Sequence, residues 1–173
     1  VVGSEMCIRD RPKRNGLQAS WLEEVRVLGV GKADARHRQA GLWAIDSCNG
    51  SAMSTFESYM AASSADVLCG QETGIVDQDA IASAQNNAKA LGWKAALEPA
   101  KVTMAGGRSA GVVVAARAHL GMSLPTTDID PLSAAGRLKV AHVAAACRGG
   151  FFCVSIYLWT SEGLSQRNLL LLQ

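Results

Sequence analysis

From Leu42 onward the apolar positions switch between the two-residue repeat of a strand and the wider repeat of a helix. In LWAIDSC (42–48), Leu42, Ala44 and Asp46 lie opposite Trp43, Ile45 and Ser47, which predicts a first strand. After Asn49-Gly50, Met53, Phe56, Tyr59 and Met60 recur at three- and four-residue spacing, so a helix follows, with Ser51 or Ser54 as its cap. ADVLCG (65–70) is a short apolar run of strand length. Asp77 can cap the alanine-rich stretch DQDAIASAQNNAKALG (77–92), which Gly92 closes.

The second half reads differently. WKAALEP (93–99), SAGVVVAAR (109–117), RLKVAHVAAAC (137–147) and FFCVSIYLW (151–159) are four successive strand candidates, and Gly106-Gly107 is the turn into the second of them. Arg148-Gly149-Gly150 joins the last two as a hairpin, its glycines supplying positive φ. In FFCVSIYLW, Phe152, Val154, Ile156 and Leu158 share one face, and Phe151, Cys153, Ser155, Tyr157 and Trp159 the other. Both faces are apolar enough to be covered, as in a strand between a second sheet and a helix layer. GLSQRNLLLLQ (163–173) opens a helix with Ser165 as its cap. Neither an internal repeat nor a low-complexity tract interrupts the pattern.

Composition narrows the class. At 173 residues, 49% hydrophobic and 18% charged, the chain suits one globular domain. No apolar run approaches bilayer length, and the start lacks a signal-type apolar core. VVGSEMCIRDRP (1–12) looks like a translated cDNA adaptor, so residues 1–40 are read as leader and linker, and 41–173 as a truncated domain of a longer, intracellular protein. Cys7, Cys48, Cys69, Cys147 and Cys153 form no C-x-x-C pair and have no histidine at zinc spacing; Cys48, Cys69 and Cys153 sit in apolar runs as small hydrophobes. The net charge of +2 conceals a basic second half. From Lys101 on, seven lysines and arginines face only Asp128, Asp130 and Glu162, which suits a polyanion or a solvated surface equally.

Three polar residues stand at strand ends: Asn49, Glu72 and Tyr157. Each has a plain structural reading, Asn49-Gly50 as a turn, Glu72 as a solvated loop acid and Tyr157 as a half-buried sheet aromatic. His119 and His142 lack partners at catalytic spacing and read as structural, and Trp43, Trp93 and Trp159 as packing residues.

The order of SCNGSAMSTFESYMAASSADVLCGQET (47–73), GGRSAGVVVAAR (106–117) and VSIYLWTSEGLSQRN (154–168) resembles the endonuclease/exonuclease/phosphatase superfamily, which includes abasic-site endonucleases, pancreatic-type deoxyribonucleases and non-LTR retroelement endonucleases. The resemblance covers about 41–173, the N-terminal part of such a domain. It implies an α/β fold, a four-layer sandwich of two mixed sheets between helix layers. It further implies hydrolysis of a phosphodiester or phosphomonoester, with Mg²⁺ or Mn²⁺ as cofactor and nucleic acid, DNA first, as substrate. Glu72 would be the metal ligand, Asn49 a donor to the metal network or scissile phosphate, Tyr157 a phenol on a phosphate oxygen, and Arg167 a contact to the substrate backbone. A second alignment puts Ser47, not Asn49, at the family's asparagine.

The family's later G-D-x-N segment, Asp and Asp-His are missing from 173 residues, so the chain as given is expected to be inactive and the activity to belong to the intact parent. Two other readings remain. One is a degenerate relative, kept as a nucleic-acid- or protein-binding module or surviving as a retroelement remnant. The other is a three-layer nucleotide-binding fold, suggested by the strand-helix-strand-helix opening but lacking its glycine fingerprint.

Overall fold

The computed structural model describes residues 36–39, 41–125, 135–145 and 147–172. The adaptor-like start, most of the linker, and Asp128 and Asp130 lie outside them. Alternation along the first run makes strand β1 (Ile45–Asn49): Ala44 and Cys48 pack toward the helices, while Ile45 points away. Helix α2 (Met53–Ala62) follows a single-turn α1 (Arg36–Gln39) in chain order, and it buries Met53, Phe56 and Met60 as their spacing predicts. Its cap differs from the expectation. Ala52, not Ser51 or Ser54, occupies the N-cap without a side-chain hydrogen bond, because Asn49 Oδ1 accepts from the Ser51 amide and holds Ser51 in a left-handed turn, φ 55°.

Strand β2 (Val67–Gln71) runs parallel to β1 with Ser47 opposite Cys69 and Asn49 opposite Gln71. Helix α3 (Gln78–Ala90) is capped as expected, Asp77 Oδ1 accepting from the Ala80 amide at 2.7 Å. Strand β3 (Trp93–Glu98) then leads to two short pieces that no periodicity announces, β4 (Lys101–Val102) and β5 (Arg108–Ser109), paired with each other. Gly106 does turn the chain, at φ 78°, but within this small hairpin. The predicted strand 109–117 breaks after Ser109, where Ala110 and Gly111 both take positive φ, and resumes as β6 (Val112–Arg117). Three-residue β7 (Gly121–Ser123), β8 (Leu138–Ala144) and β9 (Phe151–Ile156) complete the strands, with the predicted glycine hairpin between the last two. A 3₁₀ turn (Thr160–Glu162) and helix α4 (Gln166–Leu170), capped by Ser165, follow.

Two sheets result. The first has the order β1-β2-β6-β3, with β6 antiparallel to both neighbours; the second has the order β7-β8-β9. That mixed first sheet removes the three-layer nucleotide-binding alternative, whose crossovers would make β6 parallel. The helix side of the first sheet packs Leu68, Val113, Ala115, Trp93 and Leu97 against Phe56, Met60, Ile81, Ala84 and Ala88. Its other side packs Val67, Cys69, Val114 and Ala116 against Ala141, Val143 and Cys153 of the second sheet. The fold is thus α/β, helices on sheet on sheet.

Gly70 lets the helix layer approach this closely: a Cβ there would stand 2.5 Å from Phe56 Cε2 and 2.7 Å from Val113 Cγ1. The prediction that both faces of β9 are covered does not hold. Phe152 is 63% and Val154 43% exposed, because no further layer among the described residues covers that face of β9, where the His142 ring of β8 lies edge-on to Phe152. Trp43, expected in the packing, is 42% exposed, whereas Trp93 is wholly buried, its indole N–H donating to Met60 O and its ring lying 3.9 Å under the Arg117 guanidinium.

The segment before Gly41 also participates in the fold. Asp66, buried at the start of β2, accepts from His37 Nε2, Arg38 Nε and the Ala44 amide. Residues read as linker therefore anchor the end of the sheet remote from Gln71. No helix among the described residues is long and apolar enough to cross a membrane.

Candidate functional site

Strands β2 and β9 lie in different sheets yet keep step across the layer between them. Cys69 meets Cys153, Gln71 Nε2 donates to Ser155 Oγ at 3.4 Å, and Ser155 Oγ donates to Gly70 O at 3.0 Å. One step further, both strands end, and the Tyr157 hydroxyl donates to Glu72 Oε1. Residues 85 apart in sequence are thereby joined at one rim of the two sheets.

The backbone at Glu72 is constrained. Its φ of 61° is left-handed, a region non-glycine residues seldom occupy and one that persists where neighbours hold it. Here the Gln71 carbonyl accepts from the Gly50 amide and the Thr73 amide donates to Gly111 O, so the acid is gripped on both sides. Glu72 and Tyr157 face an open cleft of about 490 Å³ between the start of α2 and the loops around Gly74 and Ser109. Among the described residues that line it, Glu72 alone is acidic and Arg108 alone basic. Arg108 Nη1 donates to Gly74 O at 3.1 Å, which leaves its remaining donors for a ligand. Thr73, also in the lining, has a buried hydroxyl with no partner among the described residues.

Behind Tyr157 sits Arg137, buried and forked. Its Nη1 donates to the Tyr157 and Leu158 carbonyls, its Nη2 to Ser109 Oγ, and its guanidinium stacks 5.0 Å from the Tyr157 ring and 4.1 Å from Trp159. The carboxylate that accepts from the Tyr157 phenol, and then partial burial, raise its pKa above the ordinary tyrosine value. At neutral pH the phenol is therefore a fixed, uncharged donor.

The other residues singled out from sequence fall outside the Glu72–Tyr157 pair. Asn49 is exposed at the end of β1 and makes the turn to Ser51, itself a lining residue. Ser47, the alternative, points its Oγ toward Gln71 Nε2 at 3.3 Å and so joins the Ser155 network. Arg167 pairs with Glu162 at 2.9 Å and stacks on Trp159 at 4.1 Å, outside the residues that line the cleft. Trp159 is thus a platform for two guanidiniums. Asn168 locks the same loop, accepting from the Trp159 amide and donating to the Trp159 and Gly163 carbonyls. His142 is structural as expected, bonded to Gly149 O at 2.8 Å; His119 is exposed in the turn after β6. Arg108, Arg137 and Thr73 escaped the sequence reading. For Arg108 a signal existed, a lone cation directly after the Gly106-Gly107 turn.

The donor set can be weighed against a divalent ion. No group of three or more His, Cys, Asp or Glu among the described residues could hold a metal. A magnesium-class ion needs less: one or two carboxylates, with waters and substrate phosphate oxygens completing the shell. Glu72, with one oxygen free of the tyrosine bond and hydroxyls nearby, fits such a water-rich site and does not fit a closed, protein-only cage. Compared with known protein families, curated proteins and solved structures, the chain matches none significantly.

Proposed function

We propose that this chain carries part of the site of a divalent-metal-dependent phosphodiester hydrolase, a nuclease of the endonuclease/exonuclease/phosphatase type, and that the complete domain is the four-layer sandwich of that superfamily. The observation that carries the reading is the Glu72–Tyr157 contact at the mouth of an open cleft, formed by the two residues at the ends of β2 and β9. A carboxylate, a neutral phenol and a guanidinium around one opening suit a phosphate: the acid for a hard cation, the other two for the anion's oxygens.

In this scheme Glu72 would hold Mg²⁺ or Mn²⁺, which when bound would supply Lewis-acid stabilisation of charge on the phosphate. Tyr157 turns its hydroxyl proton from Glu72 to a phosphate oxygen, Arg137 fixes the ring from behind, and Arg108 adds positive charge on the opposite wall. Asn49 holds the turn that presents Ser51 to the cleft, and Arg167 meets the substrate backbone at its margin. The second reading, a phosphate-binding relative without turnover, is favoured by one fact: among the described residues, no histidine and no second acid lines the cleft to accept the proton of an attacking water.

Plasmid nicking and duplex-DNA binding by the intact parent protein, each with Mg²⁺, Mn²⁺ or EDTA, test both. The hydrolase reading expects metal-dependent nicking that Glu72→Ala removes. The binding reading expects metal-dependent retention of DNA, lost in the same variant, with no nicking. DNA binding and nicking indifferent to both EDTA and Glu72→Ala would exclude Glu72 from either role.

A further inference from the structure

Two thiols face one another in the middle of the layer between the sheets. Cys69 on β2 and Cys153 on β9, 84 positions apart in sequence, bring their sulfur atoms to 3.3 Å. Both are free, and each is 7% exposed. Their surroundings are Val67, Val114, Ala116, Ala141 and Val143. An isolated cysteine in such a place is a small hydrophobe and needs no sulfur opposite it. A sulfur-to-sulfur contact between two sheets, at a register that both strands maintain as far as the cleft, is a more specific arrangement.

We propose that Cys69 and Cys153 form a reversible disulfide that staples the two sheets together when the protein meets a low-molecular-weight hydroperoxide. A disulfide needs about 2.05 Å between sulfurs, so the 3.3 Å gap must close by about 1.3 Å.

The steps balance. The Cys153 sulfur, as thiolate, attacks one peroxide oxygen; the O–O bond breaks, and the departing oxygen takes up the thiol proton, leaving a sulfenic acid on Cys153. The Cys69 sulfur then attacks the Cys153 sulfur. The S–O bond breaks, and the hydroxyl leaves as water with the proton from Cys69. Two electrons pass from the two thiols to the peroxide. Because the two sulfurs face each other at 3.3 Å and either can donate the hydrogen bond they share, the same two steps run equally with Cys69 attacked first and Cys153 closing the bond. Cys48 belongs to the helix-side layer, where burial first and Asp46 second push its thiol up to about 11. Cys147 lies exposed in the hairpin turn, its thiol on Gly150 O. Neither faces the pair.

Peptide mapping of the whole chain, treated with stoichiometric hydrogen peroxide and alkylated under denaturing conditions, gives the direct test. The expected product is a Cys69–Cys153 cross-linked peptide that dithiothreitol reverses. The oxidised protein should melt on the order of 10 °C above the reduced one, because the bond closes a long loop. That rise should vanish in Cys69→Ala and in Cys153→Ala and persist in Cys48→Ala. Wild-type protein whose Cys69 and Cys153 stay alkylatable after peroxide, stop as sulfenic or sulfinic acids, or link to Cys48 or Cys147 would overturn the proposal. Mapping on wild-type protein needs no variant to fold and no activity from the cleft.

Discussion

Replacing Glu72 with glutamine keeps the side chain's shape and removes its charge, which isolates what the carboxylate does for Tyr157. A hydrogen bond to a charged acceptor contributes about 1.5–3 kcal/mol when well buried. Both partners are only half-buried, so solvent screening reduces the expected coupling to about 1 kcal/mol. Urea unfolding of wild type, Glu72→Gln, Tyr157→Phe and the double variant measures that coupling as a thermodynamic cycle. Tyrosinate absorbance during alkaline titration reads the same bond from the proton's side. Tyr157 is raised in the folded state, so its contribution is complete below the unfolded value of about 10 and disappears as pH climbs through the folded value. In Glu72→Gln the Tyr157 titration should fall back toward the ordinary range. The other tyrosine, Tyr59, is an internal control: burial and its bond to Asp46 Oδ2 at 2.9 Å raise it independently, so it should not move. A coupling below about 0.3 kcal/mol, or a Tyr157 titration indifferent to residue 72, would refute the reasoning.

Two further substitutions probe the scaffold. Gly70→Ala drives a methyl into Phe56 and Val113 and should cost about 1–3 kcal/mol by urea unfolding, with Phe56→Ala in the same chain recovering part of the loss. Asp66→Asn leaves His37 and Arg38 facing a neutral amide and should cost about 3 kcal/mol, measured by the same method; a loss under about 0.5 kcal/mol would mean that the segment before Gly41 adds nothing to the fold.

What could be read from the sequence was whatever repeats or punctuates. Alternation exposed β1 and β9, continuous apolar runs of strand length exposed β2 and β6, helical spacing exposed α2 and α3, and Asp77, Ser165 and the Gly149-Gly150 hairpin announced themselves by residue type. Strands of two or three residues, such as β4, β5 and β7, are too short to show any period. The placement of Glu72 beside Tyr157 was expected only through a family resemblance, since nothing local to either residue encodes a partner 85 positions away. The Asp66 cluster was missed for a related reason. Its partners His37 and Arg38 belong to a charged stretch without periodicity, so their contact exists only once the chain has folded back. Arg137, counted merely as one more cation, gains its place from aromatic rings that arrive twenty residues later.

The paired advance of β2 and β9 also determines where this protein tolerates changes in length. The rungs Cys69–Cys153 and Gln71–Ser155 depend on both strands presenting the same parity to the shared layer, and Glu72 reaches Tyr157 through the left-handed turn that follows Gln71. One residue added or deleted within 67–71 or 151–156 would turn every following side chain on that strand to its opposite face and send the phenol or the acid away from the cleft. The hairpin tip around Arg148 and Gly149 lies before β9 and outside that count. Length variation should accumulate at that tip and be purged from the two strands, a pattern visible in any library of random single-codon insertions screened for folded protein.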